Sequence, residues 1–152
     1  MYNYITYAKD VLLIYSAKRY DLKGKKLLST NEKYFVNDQG LRATKFDNIK
    51  DIEKILENIV FFELLRRGYE VSVGNIDDQE IDFIASKNNE IHYYQVSYIM
   101  GTPKTREREF NSLLKIKDQF PKFVLSLDDF DFSQEGIIHK NMIDFLLEER
   151  VR

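Results

Sequence analysis

One segment constrains the fold of this chain more than any other, the run KDIEKILENIVFFELLRRG at residues 50 to 68. Acidic residues open it, Arg66 and Arg67 close it, and Gly68 follows, which is the order of charges and stop signal that an α-helix favours. Its apolar residues leave a narrow polar stripe, so the helix is predicted to be central and nearly buried. Glu57 lies inside that apolar run. A carboxylate there is costly unless it is paired, hydrogen-bonded or bound to a metal ion.

Three strand patterns follow this helix. Residues 69 to 74, 80 to 86 and 90 to 99 alternate or run apolar between turn-rich pieces, which predicts an antiparallel meander. After a Gly-Thr-Pro break, residues 104 to 120 return to a helical period, and PKFVLSLDD predicts a buried strand. A short extended piece and a last helix end the pattern. The predicted fold class is therefore α/β, in the order helix, three-strand meander, helix, strand, helix.

The first 48 residues are predicted to form a smaller unit. Residues 2 to 16 place apolar side chains at helical spacings, and two short extended runs then flank a basic turn at residues 23 to 26. A helix with a basic hairpin is similar to the second half of a winged-helix module. A surface hairpin that carries lysines for solubility is the alternative, and it has more weight because the preceding helices are absent. The polar connector DQGLRATKFDN, residues 38 to 48, sets the predicted boundary between domains 1–48 and 49–152.

Charge is divided unevenly along the chain. The net charge is -2, yet residues 1 to 50 carry ten Lys or Arg against five Asp or Glu, and residues 51 to 152 carry thirteen against twenty. The resulting +5 half is the better partner for phosphates, and docking of two oppositely charged parts is an equal alternative. The sequence has no cysteine, no signal-peptide pattern and no apolar run of about 18 residues. We therefore expect a cytoplasmic protein without disulfides or membrane contact.

Polar residues on the second and third strands predict a site. Side chains alternate along a strand, so Gln95 and Ser97 share one face. If the connector KNN closes the hairpin, Asp82 lies across from Gln95 or close to it, and Glu57 on the helix covers the same face. Two carboxylates and an amide oxygen are hard ligands that suit Mg²⁺ or Mn²⁺ with several bound waters.

This arrangement resembles a known group of enzymes. A helix Glu, an Asp on the second strand and an acidic-x-Lys pattern on the third, followed by a helix and a buried strand, is similar to the PD-(D/E)XK nuclease superfamily, which has the restriction-endonuclease-like fold. More narrowly, six segments resemble the nuclease-like domain of unknown function at the C-terminal end of prokaryotic AAA+ ATPases. These segments are KYFVNDQGLR, LENIVFFELLRRGYEV, EIDFIA, YYQVSY, TREREF and FPKFVLSLD. The resemblance implies an AAA+ ATPase partner domain absent from this chain, and a winged-helix tail at residues 1 to about 36.

The resemblance also implies roles for four residues. It puts Glu57 at the helix carboxylate, Asp82 at the metal-binding aspartate, Gln95 at the acidic position of the third strand and Ser97 at the lysine. In such nucleases the carboxylates hold the metal ion, and the lysine orients the attacking water and stabilises charge on the phosphate. Glutamine still offers one carbonyl oxygen, whereas serine cannot supply a cation.

The helix after the third strand contains candidates for a replacement cation. That helix begins with Lys104, Arg106 and Arg108, although alternation with Glu107 and Glu109 makes a solvated first turn the preferred interpretation. The candidate contacts to nucleic acid are Lys23, Lys25, Lys26, Arg106 and Arg108.

Two functions are compatible with these features. The favoured one is a catalytically degenerate nuclease-like module of an AAA+ ATPase that binds DNA, RNA or a protein partner, because Ser97 lacks a charge and residues 51 to 152 are acidic. The alternative is a Mg²⁺-dependent phosphodiester hydrolase with an atypical active site. Self-association through the third strand or the C-terminal helix is compatible with either.

Overall fold

Seven strands form one mixed sheet in the computed structural model, which describes residues 2 to 38, 40 and 49 to 148. The strands are β1 (Ile14–Asp21), β2 (Lys26–Val36), β3 (Glu70–Ile76), β4 (Gln79–Lys87), β5 (Glu90–Val96), β6 (Lys122–Ser126) and β7 (Ile137–Asn141). The helices are α1 (Tyr2–Asp10), α2 (Ile49–Arg66), α3 (Pro103–Leu114) and α4 (Met142–Leu147). The strand order across the sheet is β2-β1-β3-β4-β5-β6-β7. The described residues therefore have the predicted mixed α/β class.

The predicted meander is confirmed. β3 pairs antiparallel with β4, and β4 pairs antiparallel with β5. β6 lies between β5 and β7 and pairs in parallel with both, which explains its strongly apolar sequence. The short extended piece near the C-terminus is the edge strand β7, and it leads directly into α4.

The prediction of one helix over residues 2 to 16 is too long. α1 ends at Asp10, Leu12 has a φ of 58°, and β1 begins at Ile14. A left-handed conformation ends an α-helix, and the following Ile14 and Tyr15 are residue types that favour strands. The predicted hairpin around the basic turn is present, with β1 and β2 antiparallel.

The N-terminal hairpin belongs to the same sheet as the rest of the described chain. β1 pairs in parallel with β3, from Arg19 opposite Val73 to Asp21 opposite Asn75. The sheet is therefore continuous across the predicted boundary at residue 48. Apart from positions 38 and 40, the predicted connector lies outside the described residues.

Helices cover both faces of the sheet. Alternation along the strands sends Tyr94 and Leu125 into a core with α2, and sends Tyr93 and Val124 into a second core with α3. The first core also includes residues of α4. The predicted burial of α2 is confirmed, with Leu56, Val60, Phe61 and Leu64 all buried. No helix in the described part of the chain combines the length and apolarity that crossing a membrane requires.

Asn58 attaches α2 to the end of β2. Its side chain is buried, accepts a hydrogen bond from the Val36 N–H at 3.0 Å and donates one to the Val36 carbonyl at 2.8 Å. We expect Asn58→Ala to lower the free energy of unfolding by about 2 to 3 kcal/mol, because the partly buried backbone groups of Val36 lose these partners and a small cavity remains. Urea denaturation measures this loss. The exposed Glu107→Ala is the control, and an equal effect of both substitutions would contradict the role of Asn58.

Candidate active site

A β-bulge on β4 sets the position of Asp82. The pairing of β3 with β4 shifts between Ser72 and Gly74, so Asp82 and Phe83 lie opposite the single residue Val73. Bulges bend a strand, change the direction of its side chains and are frequent beside active sites. Simple alternation along β4 therefore does not describe where Asp82 points.

The turn between β4 and β5 fixes the register that brings Asp82 to Gln95. Lys87 pairs with Glu90, so the turn has two residues, both asparagines with positive φ, rather than the predicted three. Pairing continues to Phe83 and Tyr94, one step short of Asp82 and Gln95.

Beyond this pair, hydrogen bonds from backbone to side chain replace the backbone hydrogen bonds between β4 and β5. The Val96 N–H donates to Asp82 Oδ2 at 2.8 Å, and the Asp82 N–H donates to Gln95 Oε1 at 3.4 Å. The two side chains that the sequence predicted to be neighbours are therefore adjacent, and each is held by the opposite strand.

These residues line a cleft of about 300 Å³ between α2, α3 and the sheet. The charged groups of its walls are Glu53, Glu57, Glu80, Asp82, Glu109 and Arg108. Five carboxylates thus face one guanidinium. Carboxylates gathered in one cleft disfavour one another's ionised form, so this cleft favours binding of a cation.

Lys33 brings a positive charge that the sequence prediction missed. It extends from β2, with Nζ 2.6 Å from Glu57 Oε2 and 2.8 Å from Glu80 Oε1. Burial alone would lower the pKa of Lys33, but the charges of Glu57 and Asp82 and the hydrogen bonds to Glu57 and Glu80 outweigh burial and raise it. Lys33 is therefore charged at neutral pH. The sequence contains one signal for this position. Lys33 is two residues from the apolar Phe35, so the two side chains lie on the same face of the strand, which faces the core.

Glu80 connects the hairpin to the cleft. Besides Lys33, it accepts a hydrogen bond from Arg19 Nη1 at 2.6 Å. Burial would raise the pKa of Glu80, but these two cations outweigh burial and lower it. The N-terminal hairpin thus contributes two cations to the edge of the cleft.

Asp82 is a buried carboxyl group with an electrostatic penalty. Burial raises its pKa well above the ordinary value, and the nearby Glu57 raises it further, whereas Lys33 and the Val96 N–H oppose these effects. A divalent cation beside Asp82 would favour the ionised form.

The sequence favours a solvated first turn of α3, including Glu107 and Glu109. The structure corrects this interpretation for Glu109. Glu109 is buried, and its Oε1 accepts hydrogen bonds from Arg108 at 2.8 and 2.6 Å. Burial raises the pKa of Glu109, while hydrogen bonds from Arg108 and Gln95 oppose the increase. Glu109 and Ser112 are three residues apart, so they share the helix face that closes the cleft.

The other predicted site residues lie in different surroundings. Ser97, at the position of the expected lysine, is fully buried, and its Oγ has no hydrogen-bond partner among the described residues. Of the five predicted nucleic-acid contacts, only Arg108 lines the cleft. Arg106 instead donates to a backbone carbonyl at 3.1 Å and lies over an aromatic ring 4.8 Å away. Lys23 and Lys25 line two separate grooves, and Lys26 is exposed.

The oxygen donors of the cleft are of the kind that bind a divalent metal ion. Within the described residues, no three Asp, Glu or His side chains form a complete metal site. Mg²⁺, however, usually takes one or two protein carboxylates and keeps several waters. Asp82 with Glu57 or the Gln95 amide oxygen meets that requirement, because all three side chains line the same cleft.

Two proteins of known sequence resemble this chain over most of its length. An uncharacterized protein of Haemophilus influenzae is 41% identical over 147 residues, which are 95% of this chain and 36% of that protein. An uncharacterized protein of Methanocaldococcus jannaschii is 29% identical over 128 residues, which are 78% of this chain and 27% of that protein. The match to this chain thus spans about a third of the first relative and about a quarter of the second. No family model and no solved structure gives a significant match.

Proposed function

We propose that this chain is a nuclease-like domain with a restriction-endonuclease-like core, and that it hydrolyses phosphodiester bonds with Mg²⁺ or Mn²⁺. The observation that carries the proposal is Lys33, whose ammonium group pairs with Glu57 and Glu80 in the wall of the acidic cleft that also contains Asp82 and Gln95. The sequence had left the expected site without its cation, because position 97 is serine. A lysine from β2 supplies that charge from another strand.

Each group of the cleft has a task in this reaction. Asp82 and Glu57 would hold the metal ion, which polarises the phosphate and lowers the pKa of a bound water. Lys33 stabilises the negative charge that develops on the phosphate oxygens. Arg108, whose side chain is 66% exposed, binds the phosphate at the mouth of the cleft. Hydrolysis adds water across one P–O bond and leaves a phosphate monoester and a hydroxyl group.

We further propose that the domain is part of a longer AAA+ ATPase. The lengths of the relatives support this, since the matched regions are 36% and 27% of those proteins. The resemblance of six sequence segments to the C-terminal domain of such ATPases is the second support. In this arrangement the ATPase would control access of nucleic acid to the cleft.

The proposal is tested by incubating the protein with single- and double-stranded DNA and RNA in Mg²⁺ or Mn²⁺. We expect cleavage that stops on addition of EDTA. Glu57→Gln is expected to slow it about 10-fold to 100-fold, because one metal-binding carboxylate is lost while Lys33 keeps Glu80 as partner. Glu90→Gln, at the exposed first residue of β5, is the matched control. Equal rates for both variants would show that the cleavage does not arise in this cleft.

A binding module without catalysis is the second candidate. It is favoured by the ion pairs of Lys33, which neutralise Glu57 and Glu80 without a metal ion. Its expected result is nucleic-acid binding by the folded wild type with no hydrolysis in either metal.

A further inference from the structure

A second groove adjoins the cleft. It has a volume of about 710 Å³ and is lined by Lys23, Asp77, Gln79, Asn111, Leu114, Lys115 and Lys117. We name it the lysine groove. Gln79 lines both the cleft and the lysine groove, so the two depressions are contiguous.

The lysine groove and the cleft have opposite charge. Three lysines and one carboxylate line the groove, whereas five carboxylates and Arg108 line the cleft, and Lys33 pairs with two of those carboxylates. Lys23 forms an ion pair with Asp77, and its side chain is still 66% exposed. Lys117 is exposed and donates a hydrogen bond to the Leu114 carbonyl at 3.0 Å. These ammonium groups remain accessible to an anion.

The source of the groove's charge is the fold itself. Lys23 comes from the β1–β2 turn, whereas Lys115 and Lys117 follow the end of α3. The parallel pairing of β1 with β3 brings the turn beside Asp77, next to the start of β4. Lys23 is thereby brought to the same side of the cleft as Lys115 and Lys117, which follow it by 92 and 94 positions in the sequence.

We infer that the lysine groove binds the backbone phosphates of a polynucleotide strand whose scissile phosphodiester lies in the cleft. This inference rests on the proposed function. A lysine binds phosphate as a point charge without reading bases, so the groove holds a strand of any sequence. Because the groove lies on one side of the cleft, the strand must extend several nucleotides in that direction. A polynucleotide is therefore the substrate rather than a single nucleotide.

Binding is measured by fluorescence anisotropy of a labelled single-stranded oligonucleotide in EDTA, over a series of KCl concentrations. The groove variant is Lys23→Gln, Lys115→Gln and Lys117→Gln combined. The control variant, Lys18→Gln, Lys87→Gln and Lys140→Gln combined, removes the same charge from lysines that lie outside the groove and were not predicted to contact nucleic acid. We expect the groove variant to bind at least about 10-fold more weakly, with the slope of log affinity against log salt reduced by about 2, since each phosphate contact contributes about 0.7. The control variant should stay close to wild type.

Equal losses of affinity in the two triple variants, or an unchanged salt slope in the groove variant, would overturn the inference. Failure of the proposed function gives a different result, because EDTA removes hydrolysis from the binding measurement. A wild type that binds with the expected slope but never cleaves would leave the groove supported and the nuclease rejected. A wild type that cleaves, together with a groove variant of unchanged affinity, would support the nuclease and reject the groove.

Discussion

Lys33→Met is expected to slow phosphodiester hydrolysis at least about 100-fold, with a smaller effect on KM. Removing one preorganised electrostatic contact to a transition state typically lowers kcat by about 10²- to 10³-fold. Lys33 lies between Glu57 and Glu80, two carboxylates of the cleft wall, and methionine keeps roughly the length of its side chain without the charge. Single-turnover cleavage with saturating enzyme and metal measures the chemical step separately from binding.

Arg19→Met is the matched control for this prediction. Arg19 also pairs with Glu80, at 2.6 Å, but it has no ion pair with Glu57. We expect its loss to change the rate less than about 5-fold, because Arg19 pairs with Glu80 and not with Glu57, the proposed metal-binding carboxylate. A Lys33→Met rate close to that of Arg19→Met would show that Lys33 only neutralises neighbouring carboxylates. Thermal unfolding of both variants checks that each is folded.

Local patterns were sufficient to predict most elements after residue 48. The apolar residues and terminal charges of α2 extend over five turns, so tertiary contacts had little room to change its assignment. The three strands of the meander are connected by short turns, and short turns leave few alternatives to antiparallel pairing. The adjacency of Asp82 and Gln95 follows from that pairing, which explains why it was predictable.

The remaining features depend on contacts between distant segments. The parallel pairing of β1 with β3 joins residues about 54 positions apart, and no local pattern specifies it. Because β2 pairs with β1, the pairing of β1 with β3 also places Lys33 of β2 close to Glu57. The bulge at Asp82 is an extra residue in one strand, and hydrophobic alternation does not reveal which residue is extra. Glu109 appeared solvated because its neighbours are charged, although its helix face closes the cleft.

Asp82→Asn is expected to abolish hydrolysis and, in EDTA, to stabilise the fold. Activity should fall at least about 1000-fold, since asparagine is a poor ligand for a divalent metal ion and cannot restore the lost charge. The asparagine carbonyl can still accept the hydrogen bond from the Val96 N–H, so the link between β4 and β5 is kept. What disappears is the cost of a buried negative charge beside Glu57.

The pH dependence of this stabilisation follows from the raised pKa of Asp82. The folded wild type keeps the Asp82 proton at pH values where the unfolded chain, with a pKa of about 3.9, has already lost it. The wild type therefore loses stability as pH rises above that value, and Asp82→Asn does not. Thermal unfolding in EDTA should give melting temperatures that agree near about pH 4 and separate towards neutral pH, with the variant higher. Mg²⁺ should raise the wild-type melting temperature and leave the variant unchanged. A variant that is less stable than wild type at neutral pH in EDTA would mean that Asp82 is already compensated by Lys33, and that the cleft has no need of a metal ion.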